Sequence, residues 1–302
     1  MAPVIVYSEE ESWGKQLLTA AKGLGDPVLF TFNRNVAEKL SGMYTRTYYV
    51  KTDSFDPVAI SGALRDVVNK ESATILLFPC TNKGRMIAGL TSGALGFEAI
   101  TDAVSVVKTG EGLEVEKLTF GGNAMAKVKA GDKASVCIVS GSYKETEEAG
   151  STGELVEIEA KAGSVEVEYS PRKMEGVDPT KADVVVGAGR GVKKKEDLEM
   201  IKELASLLGG AWSVTRPLAA DYGWADSWIG ISGLVISPKL YIAIGISGQP
   251  HHTMGVRGAK IIVAINNDES APIFEEADYG VIGDLYKVVP VLIKKLKERK
   301  QQ

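Results

Sequence analysis

Short apolar runs alternate with stretches of helical periodicity along the first hundred residues. The run Pro3–Tyr7 predicts a buried strand, and the residues that follow it, up to Lys22, repeat apolar side chains at helical spacing. The same order recurs at residues 27–40, 48–70 and 74–95. Strands that alternate with helices form parallel sheets that are covered by helices on both faces. The pattern therefore predicts an α/β domain in the first half of the chain.

The pattern changes between residues 102 and 140, where short strands are separated by glycine-containing turns. Apolar and charged positions then alternate at Val156 and Ile158 and again at Val165 and Val167, before a segment rich in Pro, Lys and Asp. Segments of this composition commonly join domains. We therefore expect an N-terminal α/β domain at residues 1–181 and a second domain at residues 182–302.

The second half returns to alternating strands and helices. Its apolar runs predict a strand that ends in a glycine turn within residues 184–192 and further strands near residues 212–214, 240–244 and 261–265. Its periodic stretches predict helices at residues 196–208 and 285–297. A second, largely parallel sheet flanked by helices follows from this order. The predicted fold class is thus α/β, with two domains of similar architecture.

Composition narrows the class of function. Of the 302 residues, 44% are hydrophobic and 25% charged, which is typical of a folded globular protein. Residues 1–182 hold 20 basic and 25 acidic side chains, and residues 183–302 hold 15 and 14. Because phosphate neutralisation needs a concentrated basic face, this balance argues against nucleic acid as the partner.

The lengths of the apolar stretches bear on membrane location, and the positions of the cysteines and histidines bear on metal binding. No apolar stretch approaches the roughly 18 to 20 residues that span a bilayer, and the N-terminal segment turns acidic early, so we expect a cytoplasmic protein without membrane insertion. Cys80 and Cys137 are interpreted as buried reduced thiols in apolar surroundings, and no Cys/His spacing suggests a metal site.

Glycine-rich turns after predicted strands of the second domain suit close approach to phosphate. Gly187, Gly189, Arg190 and Gly191 follow the first strand and are expected to open a helix, although the acidic residue of a nicotinamide site is missing and a plain turn explains them equally well. Thr215–Arg216 follows the second strand. Ligands bind at such carboxyl ends in doubly wound sheets.

Further candidates lie in two more turns and at two more strand ends. The turns are 230–233 and 245–248, the latter followed by His251 and His252, the two histidines of the chain. A histidine beside a phosphate-type turn can donate to an electron-rich ring. Asn266 and Asp284 suit ribose hydroxyls, although both residue types also simply form turns.

The strings VVVGAGRG, TRPLAADYGW, SPKLYIAIGISG and VAINNDESAPIFEEADYGVIGDL occur in one order across residues 183–302. In that order they resemble the α subunit of electron transfer flavoprotein, and LFPCTNKGRMIAGLTSGALG and GGNAMAKV extend the resemblance to the first half. The resemblance implies a Rossmann-like C-terminal domain that binds FAD, in a heterodimer with a β subunit. Electrons would pass from flavin dehydrogenases to a quinone-linked oxidoreductase or another acceptor, so the chain would be a carrier without substrate chemistry of its own.

The resemblance also implies individual roles. Arg216 would face the isoalloxazine ring and His252 would donate to its pyrimidine edge, while Asn266 and Asp284 would hold the adenosine half. The residues implied to bind FAD are Arg190, Thr215, Arg216, Gly230, Ser232, Gly233, Gly245, Ser247, Gly248, His251, His252, Asn266 and Asp284.

Two departures from the family pattern affect the site. The family turn Gly-Gln-Thr/Ser-Gly-Lys reads Gly230-Ile231-Ser232-Gly233-Leu234 here. The turn before the flavin-facing histidine usually carries a Gln, where this chain has Pro250-His251. Two further classes of function stay open at this point: a flavin-dependent oxidoreductase that acts directly on a small molecule, and an adenine-nucleotide-binding module without redox chemistry.

Overall fold

The computed structural model describes residues 2–52, 54–147, 153–161, 168 and 177–300. The chain divides into two compact units, Met1–Ser170 and Pro171–Gln302. Residues 169–176 lie outside the described part, so the predicted boundary after residue 181 stays a prediction. The predicted alternation at Val165 and Val167 also lies outside the described residues.

The N-terminal unit alternates strands and helices up to residue 95 and then continues as strands. Its elements are β1 (Pro3–Tyr7), α1 (Glu11–Lys22), β2 (Asp26–Thr31), α2 (Arg34–Leu40), β3 (Arg46–Lys51), α3 (Pro57–Glu71), β4 (Ile75–Pro79), α4 (Asn82–Leu95), β5 (Glu98–Thr109), β6 (Gly112–Thr119), β7 (Ala124–Ala130), β8 (Ala134–Ile138) and β9 (Glu154–Glu159).

These strands form one sheet in the order β7-β6-β5-β8-β4-β1-β2-β3-β9. Strands β8, β4, β1, β2, β3 and β9 run parallel, whereas β6 pairs antiparallel with both β5 and β7. Val4 and Val6 pack into one apolar cluster while Ile5 and Tyr7 pack into another, so β1 is buried on both faces, as a central parallel strand requires. The expected parallel sheet covered by helices is confirmed for this unit.

Side-chain caps explain where three of the helices begin. Asn33 accepts bonds from the backbone of α2, Asp56 from that of α3, and Thr81 from that of α4. Each of these residues satisfies backbone N–H groups that have no partner within the helix. Pro57 follows Asp56 at the first helical position, where its fixed φ suits the helix.

The two cysteines are free thiols with different surroundings. Cys137 is buried in the core of the N-terminal unit, as predicted. Cys80 is only partly buried, and its sulfur accepts a bond from Nε of Arg85 at 3.2 Å. Burial raises the pKa of both thiols. Cys80 packs against the same apolar cluster as Cys137, so the predicted free thiols in apolar surroundings are confirmed, and the burial predicted for Cys80 is only partial because its sulfur also contacts Arg85.

The C-terminal unit contains a second α/β arrangement. Its elements are β10 (Val184–Ala188), α5 (Leu198–Leu207), β11 (Ala211–Val214), β12 (Leu240–Ile244), α6 (Pro250–Thr253), β13 (Ile262–Asn266), α7 (Ile273–Glu276), β14 (Tyr279–Ile282) and α8 (Leu285–Lys300).

The sheet of this unit has the order β11-β10-β12-β13-β14, and each neighbouring pair is parallel. One face packs on α5 and α8 through Val186, Ile201 and Val289, and the other face buries Val185 and Tyr241. The predicted α/β class with two sheet-containing units is thereby confirmed. No helix in the described part of the chain is both long enough and apolar enough to cross a membrane.

Candidate functional site

The five strands of the C-terminal unit end at one common edge of their sheet. Ala188 of β10 pairs with Val214 of β11 and with Ile244 of β12. Ile244 in turn pairs with Ile265, and Asn266 pairs with Ile282. The predicted residues at or just after these strand ends therefore lie along one edge: Arg190, Thr215, Arg216, Gly245, Ser247, Gly248, Asn266 and Asp284.

The remaining predicted residues join this edge through the turn at residues 229–233. The backbone N–H of Ile229 donates to the carbonyl of Val214 at 2.9 Å, which attaches the turn to the end of β11. The N–H of Ile231 donates to the carbonyl of His251 at 2.8 Å, which attaches α6 to the turn. The structure thus brings Gly230, Ser232, Gly233, His251 and His252 to the same end of the sheet as the other candidates.

Two arginines carry the positive charge at this edge. Arg190 and Arg216 follow the neighbouring strands β10 and β11, and both side chains are exposed. No carboxylate of the described residues forms an ion pair with either guanidinium group. Two adjacent, unpaired guanidinium groups suit a ligand with two negative charges, because arginine binds phosphate oxygens through paired N–H donors.

Hydroxyl groups supply further polar contacts. Ser247 is exposed after β12, whereas Thr215 is 8% exposed. The Ser232 hydroxyl accepts a bond from Nε1 of Trp228 at 3.2 Å. Because a serine hydroxyl both accepts and donates, the bond to Trp228 leaves the Ser232 O–H group able to donate to a ligand.

The glycine turn after β10 differs from its prediction. It does not open a helix, because α5 begins only at Leu198, after a single 3-10 turn at Lys195–Asp197. A Cβ on Gly191 would lie 2.7 Å from the Cα of Gly245, and one on Gly189 would lie 2.3 Å from the carbonyl oxygen of Gly245. These glycines allow two backbone turns to pack against each other, so a helix dipole does not act at this turn.

Positive φ angles explain glycines in the other two turns. Gly230 has φ of +148°, Gly245 of +60° and Gly248 of +87°, which are conformations that other residues rarely adopt. A Cβ on Gly248 would also lie 2.2 Å from the backbone nitrogen of Ile273, and one on Gly233 would lie 2.3 Å from the carbonyl oxygen of Trp228. The turns are therefore shaped by their own packing.

His252 is held inside the protein by both ring nitrogens. Its side chain is 7% exposed, Nδ1 lies 3.1 Å from the carbonyl oxygen of Ile229, and Nε2 lies 2.9 Å from the hydroxyl of Tyr241. A carbonyl can only accept, so Nδ1 carries the proton and Nε2 accepts from Tyr241. Burial lowers the pKa of His252 to about 4, which keeps the ring neutral.

The donor role that the resemblance implies for His252 therefore differs from the geometry observed. To donate to a flavin, the ring would have to give up one of its two bonds. His251, by contrast, is exposed. Tyr241 was missed by sequence reasoning, although a tyrosine within the otherwise aliphatic strand LYIAI is a usable signal, because a buried hydroxyl needs a polar partner.

Asn266 and Asp284 both form bonds within the protein. The Asn266 amide donates to the carbonyl of Ile246 at 2.9 Å and accepts from the N–H of Asp268 at 3.0 Å. Asp284 accepts from the N–H of Tyr286 at 2.9 Å at the start of α8. Asn266 is 8% exposed, so its side chain mainly joins the ends of β12 and β13. Asp284 is exposed.

The residues at this edge fit a nucleotide cofactor with a pyrophosphate group. Two unpaired guanidinium groups, two exposed hydroxyls and an exposed carboxylate are the kinds of group that bind phosphates and sugar hydroxyls. The described residues include no group of three or more His, Cys, Asp or Glu side chains that could hold a metal ion.

Comparisons with known proteins identify the family of the chain. The family model described as the electron transfer flavoprotein FAD-binding domain matches residues 178–257. The model described as the electron transfer flavoprotein domain matches residues 10–163. The chain is also 31% identical to protein FixB of Escherichia coli O139:H28 over 303 residues, and 31% identical to protein FixB of Escherichia coli O1:K1 over 302 residues. Both alignments cover 96% of this chain and 96% of the relative.

Proposed function

The chain belongs to the electron transfer flavoprotein α-subunit family, and from that premise we propose that it binds FAD at the strand ends of its C-terminal unit and carries electrons. It does so as one half of a heterodimer with an electron transfer flavoprotein β subunit. Flavin dehydrogenases supply the electrons, and a quinone-linked oxidoreductase or another acceptor takes them.

The observation that carries this proposal is the pair of arginines. Arg190 and Arg216 follow adjacent strands, are exposed, and form no ion pair within the described residues. Because both guanidinium groups follow the carboxyl ends of neighbouring strands, where doubly wound sheets bind ligands, they suit an external anion. FAD offers negative charge at its pyrophosphate and, once reduced, at its isoalloxazine ring.

FAD, when bound, accepts and releases electrons at its isoalloxazine ring. The protein contributes orientation and charge: Arg216 favours the negatively charged reduced ring, Ser232 offers a hydrogen-bond donor, and Ser247 and Thr215 offer hydroxyls to the phosphates. His252 holds its proton against a backbone carbonyl, so it is not arranged to transfer protons to a substrate. This arrangement supports a carrier rather than an enzyme with its own substrate.

The test is a visible absorption spectrum of the protein purified alone and after co-expression with a candidate β subunit, before and after dithionite. Flavin bands that bleach on reduction and strengthen with the partner are expected. The variant Arg190→Ala/Arg216→Ala should bind FAD at least about tenfold more weakly, since losing two charge-assisted contacts costs more than about 1.4 kcal/mol. Arg299→Ala, on the exposed end of α8, is the matched control and should bind normally.

Other outcomes would identify the two alternative classes. Bleaching of the flavin by a small molecule without any partner protein would indicate an oxidoreductase that acts directly on a substrate. Tight binding of AMP by a protein that takes up no FAD, alone or with its partner, would indicate a nucleotide-binding module. Either result would overturn the carrier function.

A further inference from the structure

One buried hydrogen-bond chain connects the sheet of the C-terminal unit to the turn beside the candidate site. Tyr241, in the middle strand β12, is fully buried, and its hydroxyl donates to Nε2 of His252. Nδ1 of His252 donates to the carbonyl of Ile229, which immediately precedes Gly230. These two hydrogen bonds therefore link the core to the turn, and each polar atom in the link has a partner.

We propose that Tyr241 is a positioning residue for the proposed FAD site, acting through His252 to hold the turn at residues 229–233 against the strand ends. The inference rests on the proposed function, because the turn matters only if a ligand binds beside it. Tyr241 itself does not reach the exposed edge, so its effect on a ligand must pass through the turn.

The turn is built so that a displacement of Ile229 reaches Ser232. Gly230 donates to the carbonyl of Leu234 at 3.0 Å, and Leu234 donates to the carbonyl of Trp228 at 2.7 Å. The Trp228 indole then donates to the Ser232 hydroxyl. These bonds join the ends of the turn to each other, and the ring of His252 adds a side-chain bond at Ile229 to the backbone bond between Ile229 and Val214.

A glycine in the neighbouring strand provides space for the hydroxyl of Tyr241. Gly187 of β10 pairs with Ala243 of β12, and a Cβ on Gly187 would lie 2.1 Å from the Tyr241 hydroxyl. Any side chain at this position would displace the tyrosine. The first glycine of the sequence GAGRG is thus required by Tyr241, which is a reason unrelated to phosphate binding.

The ring of His252 makes the link directly observable. The chain has two histidines, so a nitrogen-15 spectrum of the imidazole rings contains two sets of signals, which His251→Asn assigns. In the wild type we expect the Nδ1–H tautomer at His252, with Nε2 shifted by the bond from Tyr241. The measurement uses protein that contains no FAD. In Tyr241→Phe, the Nε2 signal should move to the chemical shift of an imidazole nitrogen that accepts no hydrogen bond.

The functional arm uses the wild type, Tyr241→Phe and Ile293→Val, each with its β subunit. Ile293 is buried in α8 on the opposite face of the sheet, so Ile293→Val is a control for a mild general loss of stability. We expect Tyr241→Phe to weaken FAD binding about tenfold and to make the flavin reduction potential more negative, while Ile293→Val changes neither. If Tyr241→Phe does not fold, His252→Asn tests the same link, because its amide keeps a donor for the Ile229 carbonyl and removes Nε2.

The outcomes separate the two proposals. A wild type that binds FAD, with Tyr241→Phe indistinguishable from Ile293→Val, would overturn the positioning role and leave the proposed function in place. An Nε2 signal that is the same in the wild type and in Tyr241→Phe would also overturn it. A wild type that takes up no FAD under any condition would overturn the proposed function and this inference together.

Discussion

Mild acid is expected to destabilise the C-terminal unit through His252. Burial lowers the pKa of this ring to about 4 in the folded chain, whereas an exposed histidine has a pKa of about 6.5. Between these values the unfolded chain binds a proton that the folded unit excludes. The free energy of unfolding therefore falls as the pH decreases through this window and is unaffected above it. From about pH 7 to about pH 5 the loss amounts to about 2 kcal/mol.

The contribution of His252 to the pH dependence of stability can be measured separately from that of other groups. Its bonded neighbours are the hydroxyl of Tyr241 and the carbonyl of Ile229, and burial raises the pKa of Tyr241, so Tyr241 stays neutral throughout the window. Three of the four tryptophans lie in this unit, at positions 212, 224 and 228. In a Trp13→Phe background, tryptophan fluorescence during urea unfolding therefore reports on the C-terminal unit alone.

The measurement compares that background with and without His252→Asn across the pH window. Carboxylates titrate in both proteins, so their contribution cancels in the difference, and about 2 kcal/mol of pH dependence should disappear in the variant. Equal pH dependence in the two proteins would refute the reasoning, because it would mean that His252 is protonated as readily in the folded unit as in the unfolded chain.

Three further predictions address the site and the fold. Arg216→Ala should make the potential of bound FAD more negative by roughly 30 mV for each 1.4 kcal/mol of lost stabilisation, as measured by redox titration; an unchanged potential would place Arg216 away from the ring. Gly191→Ala should destabilise the C-terminal unit by about 1 to 3 kcal/mol in urea unfolding, because its Cβ would lie 2.7 Å from the Cα of Gly245; wild-type stability would show that the turns can separate freely. Asp56→Ala should lower the stability of the N-terminal unit by about 1 kcal/mol, because the start of α3 loses the bonds that Asp56 accepts. The difference between the urea unfolding curves of this variant with and without Trp13→Phe isolates the Trp13 signal, whose midpoint should fall while that of the C-terminal unit stays unchanged.

Strands and helices with a clear local sequence pattern could be predicted from the sequence. The strands that they pair with could not. The strand Leu240–Ile244 was predicted with the limits that it has, since it is an apolar run bounded by turn residues. The alternation at Val156 and Ile158 was used only to place the domain boundary, and nothing near it in sequence indicated that these residues form a strand that pairs with β3. Helices α6 and α7 have four residues each, which is too short for helical periodicity to appear.

In the candidate site, too, positions along the chain were predictable and contacts between distant residues were not. The rule that ligands bind at the carboxyl ends of parallel strands placed Arg190, Arg216 and Ser247 at one edge, and the registers confirm that the strands end together. The bonds of individual side chains were beyond reach, because their partners come from distant parts of the chain. The two ring nitrogens of His252 bond to Ile229 and Tyr241, and no pattern in the sequence near His252 indicates either bond.

The pairing of β9 with β3 has a consequence for synthesis of the chain. The outer edge of β3 ends at Lys51, and its partner strand is complete only at Glu159, with β4 to β8 made in between. At about 5 to 20 residues per second, this edge waits on the order of ten seconds for its partner on the ribosome. During that interval it is a row of unpaired backbone donors and acceptors, the kind of edge at which nascent chains associate wrongly. A fragment that stops before Glu154 would leave the edge of β3 unpaired permanently. We expect it to aggregate more than a fragment that extends past Ala160, whose outermost strand is β9 with glutamates along its length.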